Sequence, residues 1–442
     1  MKLETIGHAA MLLRDDEGKP LFLTDPWLIG STYWRSWWLQ NYPKPELMAE
    51  LQQVKYAYIT HEHMDHFHPP SIRKLGNQPT YLSPALPQEQ IGVFLNEKGF
   101  NTKVLEPLKW HKLHEHLSVL SIPLPNDDSV LLAHTPTAFI VNFNDAKPRK
   151  YQIRRIRRYI DANVQDKKII FLSSYSPASP VNSFRRNNEI VSMKDKKDYV
   201  QYVSKLSDTI GADYYMPFAS QVIFYRSDSA WANEYKVAYA DLAEHWTAEK
   251  TQLCHPYSEI DLETWDVTWI AEEDYYRDEE TIAEKVKTQE EKEKTAEFTE
   301  KDVEDLRKKL GFSRILLPLL FRRGIGFILD DRELTYKPWG RKIKPGIQNP
   351  SFSLMMPAQA LKDVLYTGHF ADLGITMFTL IILNGKIKPR MIYVFFLLIA
   401  LHDYRHLVSF KNFWKWFRTS LRLNKWKIPA FTSATAQPLP TT

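Results

Sequence analysis

The chain has 442 residues, 44% hydrophobic and 25% charged, which suits two or three packed units of roughly 100–200 residues each and excludes disorder, collagen and coiled coil as its main state. Cys254 is the one cysteine, which excludes a disulfide framework, a Cys-based zinc knot and a self-contained iron–sulfur cluster, and fits a reducing compartment. The formal net charge of +5 hides a split: residues 307–442 hold 22 Lys+Arg against 6 Asp+Glu, whereas residues 1–306 hold 36 against 47, so the C-terminal third is expected to meet something anionic.

In chain order, residues 2–6 and 11–13 read as strands, 15–18 as a turn and 21–24 as a strand ending at Asp25-Pro26. Residues 54–60 form a β-rich run and 71–75 a helix. Strands follow at 119–122, 130–133 and 139–143. A basic helix covers 151–160, a strand 169–173, a helix 197–210 and a strand 214–218. Strands alternating with helices, plus hairpins, indicate a layered α/β fold with a mixed sheet. Residues 259–306 are Glu/Lys-rich and read as an acidic helical connector. Residues 307–427 form a smaller, basic, mostly helical region. Residues 428–442 are small, polar and Pro-containing, and read as a disordered tail. No secretory signal precedes the first strand, and the longest apolar run, 391–401, is too short to span a membrane. The expected location is therefore cytoplasmic, with membrane association as a further option.

The informative segment is Thr60-His61-Glu62-His63-Met64-Asp65-His66-Phe67-His68-Pro69-Pro70, between a strand and a helix. His61 and His63 can face one metal together, and Asp65 and His66 a second close by. Imidazole suits zinc and iron, and a carboxylate adds the charge that holds a second cation. Such a metal lowers the pKa of bound water to about 7 and so makes a nucleophile at neutral pH.

The HxHxDH pattern after a strand, with Asp25-Pro26 upstream, resembles the metallo-β-lactamase superfamily. That resemblance implies an αββα sandwich over residues 1–258, with one or two divalent metal ions (zinc, iron or manganese) at one edge of its sheets. Asn142-Phe143-Asn144-Asp145 ends a strand and resembles the bridging-Asp position, which adds Asp145 to His61, His63, Asp65 and His66. In the implied mechanism, hydrolysis by a metal-bound hydroxide, Asp65 also orients the nucleophilic water. Residues 24–30 (TDPWLIG), the Trp37-Trp38 pair and 214–218 (YYMPF) are similar to the metallo-β-lactamase-like part of CMP-N-acetylneuraminate hydroxylases, over roughly residues 1–235. Those hydroxylases pair the fold with a Rieske domain ligated by two Cys and two His. One cysteine cannot build it, so oxygenase chemistry would need a separate electron-transfer protein. The positions of a third His, near 124–127, and of a last His, in or after 217–222, hold no His. Asp127, Asp128 and His134 are the nearby substitutes.

Other residues admit two readings. Trp27, Trp37 and Trp38 lie in an aromatic segment that could wall a substrate pocket or pack a loop. Arg226 begins a post-strand loop that could line the pocket. His8 reads as a structural histidine of the first strand pair, and His402 and His406 as a surface turn of a basic helix. The run 410–418 alternates aromatic and basic residues; it suits docking onto the acidic part of the chain or peripheral contact with a membrane. No recognised module supports nucleic acid.

The reading is a metal-dependent hydrolase acting on a small anionic substrate. Its alternatives are a non-haem iron oxygenase, or a non-catalytic binding protein on a degenerate form of the fold, a reading the two absent histidines support.

Overall fold

A computed structural model describes all residues except 88–89, 165, 178–182, 192–194, 271–274, 425–426 and 440–442. Two eight-stranded sheets face each other. In order across the first lie Val267–Trp269, Ser258–Asp261, Lys2–Thr5, Met11–Arg14, Pro20–Thr24, Tyr56–Tyr58, Thr80–Pro84 and Thr102–Leu105. The second runs Gln252–Leu253, Tyr214–Phe218, Lys168–Ser174, Ala138–Asn142, Ser129–His134, Leu117–Pro123, His111–His114 and Gln437–Pro438.

Period-two patterning builds the layers. Met11, Leu13, Leu131, Ile170 and Leu172 point between the sheets. Their neighbours Val130, Leu132, Ile169 and Phe171 point outward, beneath the helices Lys150–Asn163 and Lys196–Ile210. Leu12 and Leu23 face outward from the first sheet, toward the helix Pro45–Leu51. Ala57 and Tyr81 meet the helices Pro69–Leu75 and Gln90–Glu97. This is the αββα sandwich that the resemblance implies.

Three expectations are corrected. The stretch expected to be a helical connector begins with strands: Ser258–Asp261 and Val267–Trp269 complete the edge of the first sheet. Only then come the helices Glu279–Lys294 and Glu300–Leu310. The C-terminal third is not mostly helical. It contributes five strands to a seven-stranded mixed sheet, ordered Glu189–Ile190, Phe184–Arg186, Leu380–Leu383, Phe352–Met355, Ile325–Ile328, Glu333–Lys337 and Lys342–Pro345, the first two coming from the sandwich sequence. Strands such as Leu380–Leu383 are short and uniformly apolar, so they show no alternation to distinguish them from helix. The 391–401 run lies within the helix Pro389–Asp403, whose Ile392, Phe395 and Ile399 enter this sheet's core. Among the described residues, no helix is long and apolar enough to cross a membrane.

The tail is docked rather than disordered, as far as it lies within the described residues. Phe431 stacks on His134 at 4.1 Å, Trp110 Nε1 donates to the Pro429 carbonyl at 3.2 Å, and Gln437–Pro438 pairs with His111–Lys112. The edge of the second sheet presents an aromatic face and open backbone groups, and the tail covers both. Residues 440–442 lie outside the description.

The parts are interlocked. Phe184–Arg186, from within the sandwich sequence, pairs with Leu380–Leu383 in the third sheet. Trp34 Nε1 donates to Asp363 at 2.7 Å. Arg226, expected to line a pocket, is instead buried: it donates to both Asp228 and Glu293 and lies over Phe378. Its alternation of charge and loop position carried no sign that its partner would come from a helix more than sixty residues away.

Removing one partner of this buried pair strands the other charge, at a cost of about 3–5 kcal/mol. Glu293→Gln should therefore lower the denaturant midpoint strongly, and the pair Arg226→Met with Glu293→Leu should recover part of the loss.

Candidate metal centre

The strands Lys2–Thr5, Pro20–Thr24 and Tyr56–Tyr58 run in one direction: the first and second flank an antiparallel strand, and the second and third pair in parallel. Their carboxyl ends therefore share one edge of the sandwich, where loop residues can converge. His8 follows the first strand, Asp25 the second, and His61, His63, Asp65 and His66 the third. Asp145 follows Ala138–Asn142 of the opposite sheet.

Local bonding shapes each contributor. The 61–66 turn closes when His66 and Phe67 donate their amides to the His63 carbonyl, at 2.9 and 2.7 Å. His68 caps the helix Pro69–Leu75, accepting from the Ser71 amide, and prolines occupy its first turn. Tyr33, Trp34 and Arg35 form a run of left-handed backbone, with φ of 48°, 54° and 60°. Such residues cost about 1–2 kcal/mol each. The run aims the Tyr33 hydroxyl at Asp65, 2.6 Å away, while Trp34 reaches Asp363.

Two groups of three ligands result. His61, His63 and Asp145 each offer one ligand atom, all within 4.8 Å of one another; His8, Asp65 and His66 do the same. The groups adjoin: the His61 and His66 rings are 4.1 Å apart, and His66 Nε2 lies 3.6 Å from Asp145 Oδ1. The latter two atoms are buried without a hydrogen-bond partner among the described residues. One orphaned nitrogen and one orphaned carboxylate oxygen, facing each other across two triads, fit a cation on each side.

Partners behind the ligands orient them. Asp25 accepts from the Thr60 amide at 2.7 Å and the Thr60 hydroxyl at 2.7 Å, and its Oδ2 lies 2.8 Å from His66 Nδ1. That bond leaves His66 Nε2 facing the centre. His61 Nδ1 lies 3.0 Å from Thr60 Oγ1 and 3.5 Å from Asp128 Oδ1, which leaves its Nε2 facing Asp145 at 3.8 Å.

Burial opposes every charge here, yet Asp145, Asp65 and Asp25 together push His66 up to about 10. Against the same burial, His66 and then His61 hold Asp145 at about 2. Asp65 is likewise held well below the carboxylate range by His66 and His8. Burial and the neighbouring His66 drive His61 well below the imidazole range, and burial lowers His63. The carboxylates are thus ionised and His61 and His63 neutral, as ligands must be. Of the three motif imidazoles, His66 is the one that carries a proton a metal must displace.

All five expected ligands meet. His8, read from the sequence as a structural histidine, stands beside Asp65 and His66 as a candidate sixth ligand, its Nε2 3.0 Å from Asp65 Oδ2. Its signal lay in position: a histidine just past a strand parallel to the motif strand. The three proposed substitutes are corrected. Asp128 accepts from the Ser129 amide and backs His61. Asp127 pairs with His406 at 2.6 Å, which also removes His406 from the surface. His134 lies in the core, 3.0 Å from the Tyr159 hydroxyl and stacked on Phe431. Trp27 is fully buried behind His8, with ring centroids 5.7 Å apart. Trp38 donates to the Arg35 carbonyl and packs. Trp37 lines a small cavity with His8, Ser220 and Met377.

A larger groove adjoins the ligand loop, with Glu62, Met64 and Phe67 as one wall. Ile91 and Phe94 form a second, and Trp34, Tyr366 and Asp372 the side toward the C-terminal third.

No protein-family model matches the chain. It is 24% identical over 231 residues to the cytidine monophosphate-N-acetylneuraminic acid hydroxylase of Danio rerio, covering 49% of this chain and 37% of that protein. To the hydroxylase of Gorilla gorilla gorilla it is 30% identical over 122 residues, covering 26% and 20%. The chain thus spans well under half the length of these relatives. Among solved structures, the isothiocyanate hydrolase from Delia radicum gut bacteria aligns with a TM-score of 0.42 and 16% identity, over 59% of this chain and 99% of that one.

His8→Ala should reduce bound divalent metal from about two per chain toward one by elemental analysis, whereas His134→Ala should leave it unchanged. Because a metal must displace the His66 proton, binding near pH 7 should release about one proton. Apparent affinity should then rise with pH, up to about tenfold per unit, until His66 titrates near 10. Calorimetry in two buffers of different ionisation enthalpy reads both.

Proposed function

We propose that this protein is a metal-dependent hydrolase of the metallo-β-lactamase superfamily acting on a small anionic substrate. The observation that carries the reading is the pair of complete ligand triads around His66 Nε2 and Asp145 Oδ1. Divalent cations held there supply Lewis acidity and lower the pKa of a coordinated water to about 7.

The chain's own residues supply the rest. Asp65, fixed by the Tyr33 hydroxyl through Oδ1 and by His8 through Oδ2, orients the attacking water. The anionic part of the substrate faces the cations. Its apolar part lies against Phe67, Ile91 and Phe94 in the adjoining groove. Burial, with Asp403 and Asp65 nearby, pushes Asp372 up to about 8. Its carboxyl therefore keeps a proton at neutral pH, and it is placed in the groove to give that proton to a leaving group.

The test is hydrolysis of a panel of phosphate and carboxylate esters by protein loaded with zinc or manganese. His61→Ala and Asp145→Asn should lose metal and activity together. Asp372→Asn should keep both metals and lose about 10²-fold or more in kcat. Full activity in the metal-free protein would refute the reading.

One observation favours a second reading: the aligned sequence relatives are hydroxylases. Under it, the same six ligands hold iron, and a separate electron-transfer protein supplies electrons. About two iron per chain after anaerobic purification, with oxygen uptake on chemical reduction, would select it over hydrolysis.

A further inference from the structure

The helix Phe410–Asn424, with sequence FKNFWKWFRTSLRLN, holds four cations and no Asp or Glu. Lys411, Lys415, Arg418 and Arg422 fall at i, i+4, i+7 and i+11, which is one stripe at 3.6 residues per turn. Phe410, Trp414, Phe417 and Leu421 repeat that spacing one position earlier, as a second stripe alongside. Phe413, Trp416, Ser420 and Leu423 occupy the opposite side.

The opposite side is the docked one. Trp416 Nε1 donates to the Pro125 carbonyl at 3.1 Å, its ring stacks on His406 at 5.8 Å, and Ser420 and Leu423 are buried. The apolar stripe is largely uncovered: Phe410 is 79% exposed, Leu421 46% and Trp414 40%. Its rings form a ladder, Phe410 on Trp414 at 6.2 Å and Trp414 on Phe417 at 5.5 Å. Among the described residues, no ion pair involves any of the four cations; Arg418 lies over the Trp414 ring at 5.2 Å.

A row of large exposed aromatics marks a contact surface. Its chemistry is that of a lipid interface, where aromatic rings sit at headgroup depth and cations meet anionic headgroups. Fifteen residues are too few to span a bilayer but enough to lie along its surface. The cationic excess of the whole C-terminal third complements the same partner.

We propose that the uncovered face of Phe410–Asn424 seats the protein on an anionic membrane surface, with the helix in the plane of the interface. This does not depend on the reaction at the metal centre.

The test is co-sedimentation of the full chain with phosphatidylcholine vesicles with and without about 30 mol% phosphatidylglycerol. Binding should be at least about tenfold tighter with the anionic lipid and should fall as NaCl rises from about 0.1 M to 1 M. Lys411→Glu with Lys415→Glu should weaken it by about tenfold or more. Phe410→Ser with Trp414→Ser should weaken it comparably, with an unchanged denaturation midpoint; should that variant unfold, the charge-reversal pair decides. Equal binding to both vesicles, no binding, insensitivity to the charge reversal, or retention by single-stranded DNA without vesicle binding would overturn the proposal.

Discussion

The carboxylate of Asp25 is fully buried and accepts from the backbone and side chain of Thr60 while holding His66 by its Nδ1. One group thereby joins the ends of two parallel strands and fixes which nitrogen of His66 faces the centre. A carboxylate at that depth is tolerable only with this full set of partners. The remainder of the site follows from it. His66 takes its charge from the surrounding acids, Asp145 is held ionised in turn, and the 61–66 turn cannot swing away without breaking the Thr60 bonds. The strained run at Tyr33 is the counterpart on the other wall, where backbone cost is offset by a hydroxyl placed on Asp65.

Much of this was legible in the residues. HxHxDH after a β-rich run located four residues of the candidate site, because metal chemistry restricts residue type and a tight turn restricts spacing. Short apolar runs bounded by turn residues, such as Met11-Leu12-Leu13 ahead of Asp15-Asp16-Glu17-Gly18, located strands. His8 was not legible by the same means. A single histidine has no local pattern, and its role arises only when sheet order brings its strand end beside that of Tyr56–Tyr58. The same holds for Asp127 and Asp128, adjacent acids with unrelated tasks: one faces His406, from the far end of the chain, and the other backs His61. Nor could the C-terminal sheet be read, since its strands run to five residues at most, and runs such as the uniformly apolar Leu380–Leu383 are too short to show a period.

The helix Glu279–Lys294 and the C-terminal third are bound to the sandwich at three kinds of contact. A strand pairing joins sheets, Arg226 and Glu293 form a buried ion pair, and Trp34 inserts between the parts to reach Asp363 and Phe378. Trp34 directly follows Tyr33, so the segment that positions Asp65 is itself anchored to the C-terminal third. The groove beside the ligands draws walls from both parts. The geometry of the centre and the docking of the two parts are therefore one mechanical problem.

The pairing of Phe184–Arg186 with Leu380–Leu383 also bears on how the chain is born. The first strand leaves the ribosome with its partner still about two hundred residues from being made, and at typical synthesis rates that is a wait on the order of ten seconds or more. Through that interval the strand, paired on one side with Glu189–Ile190, keeps its other edge open to any other extended segment. Long-range pairing of this kind is intrinsically slow. The nascent sandwich is thus most vulnerable to misassociation in the window before residue 383 emerges, and crowding of neighbouring nascent chains on one message would be felt there first.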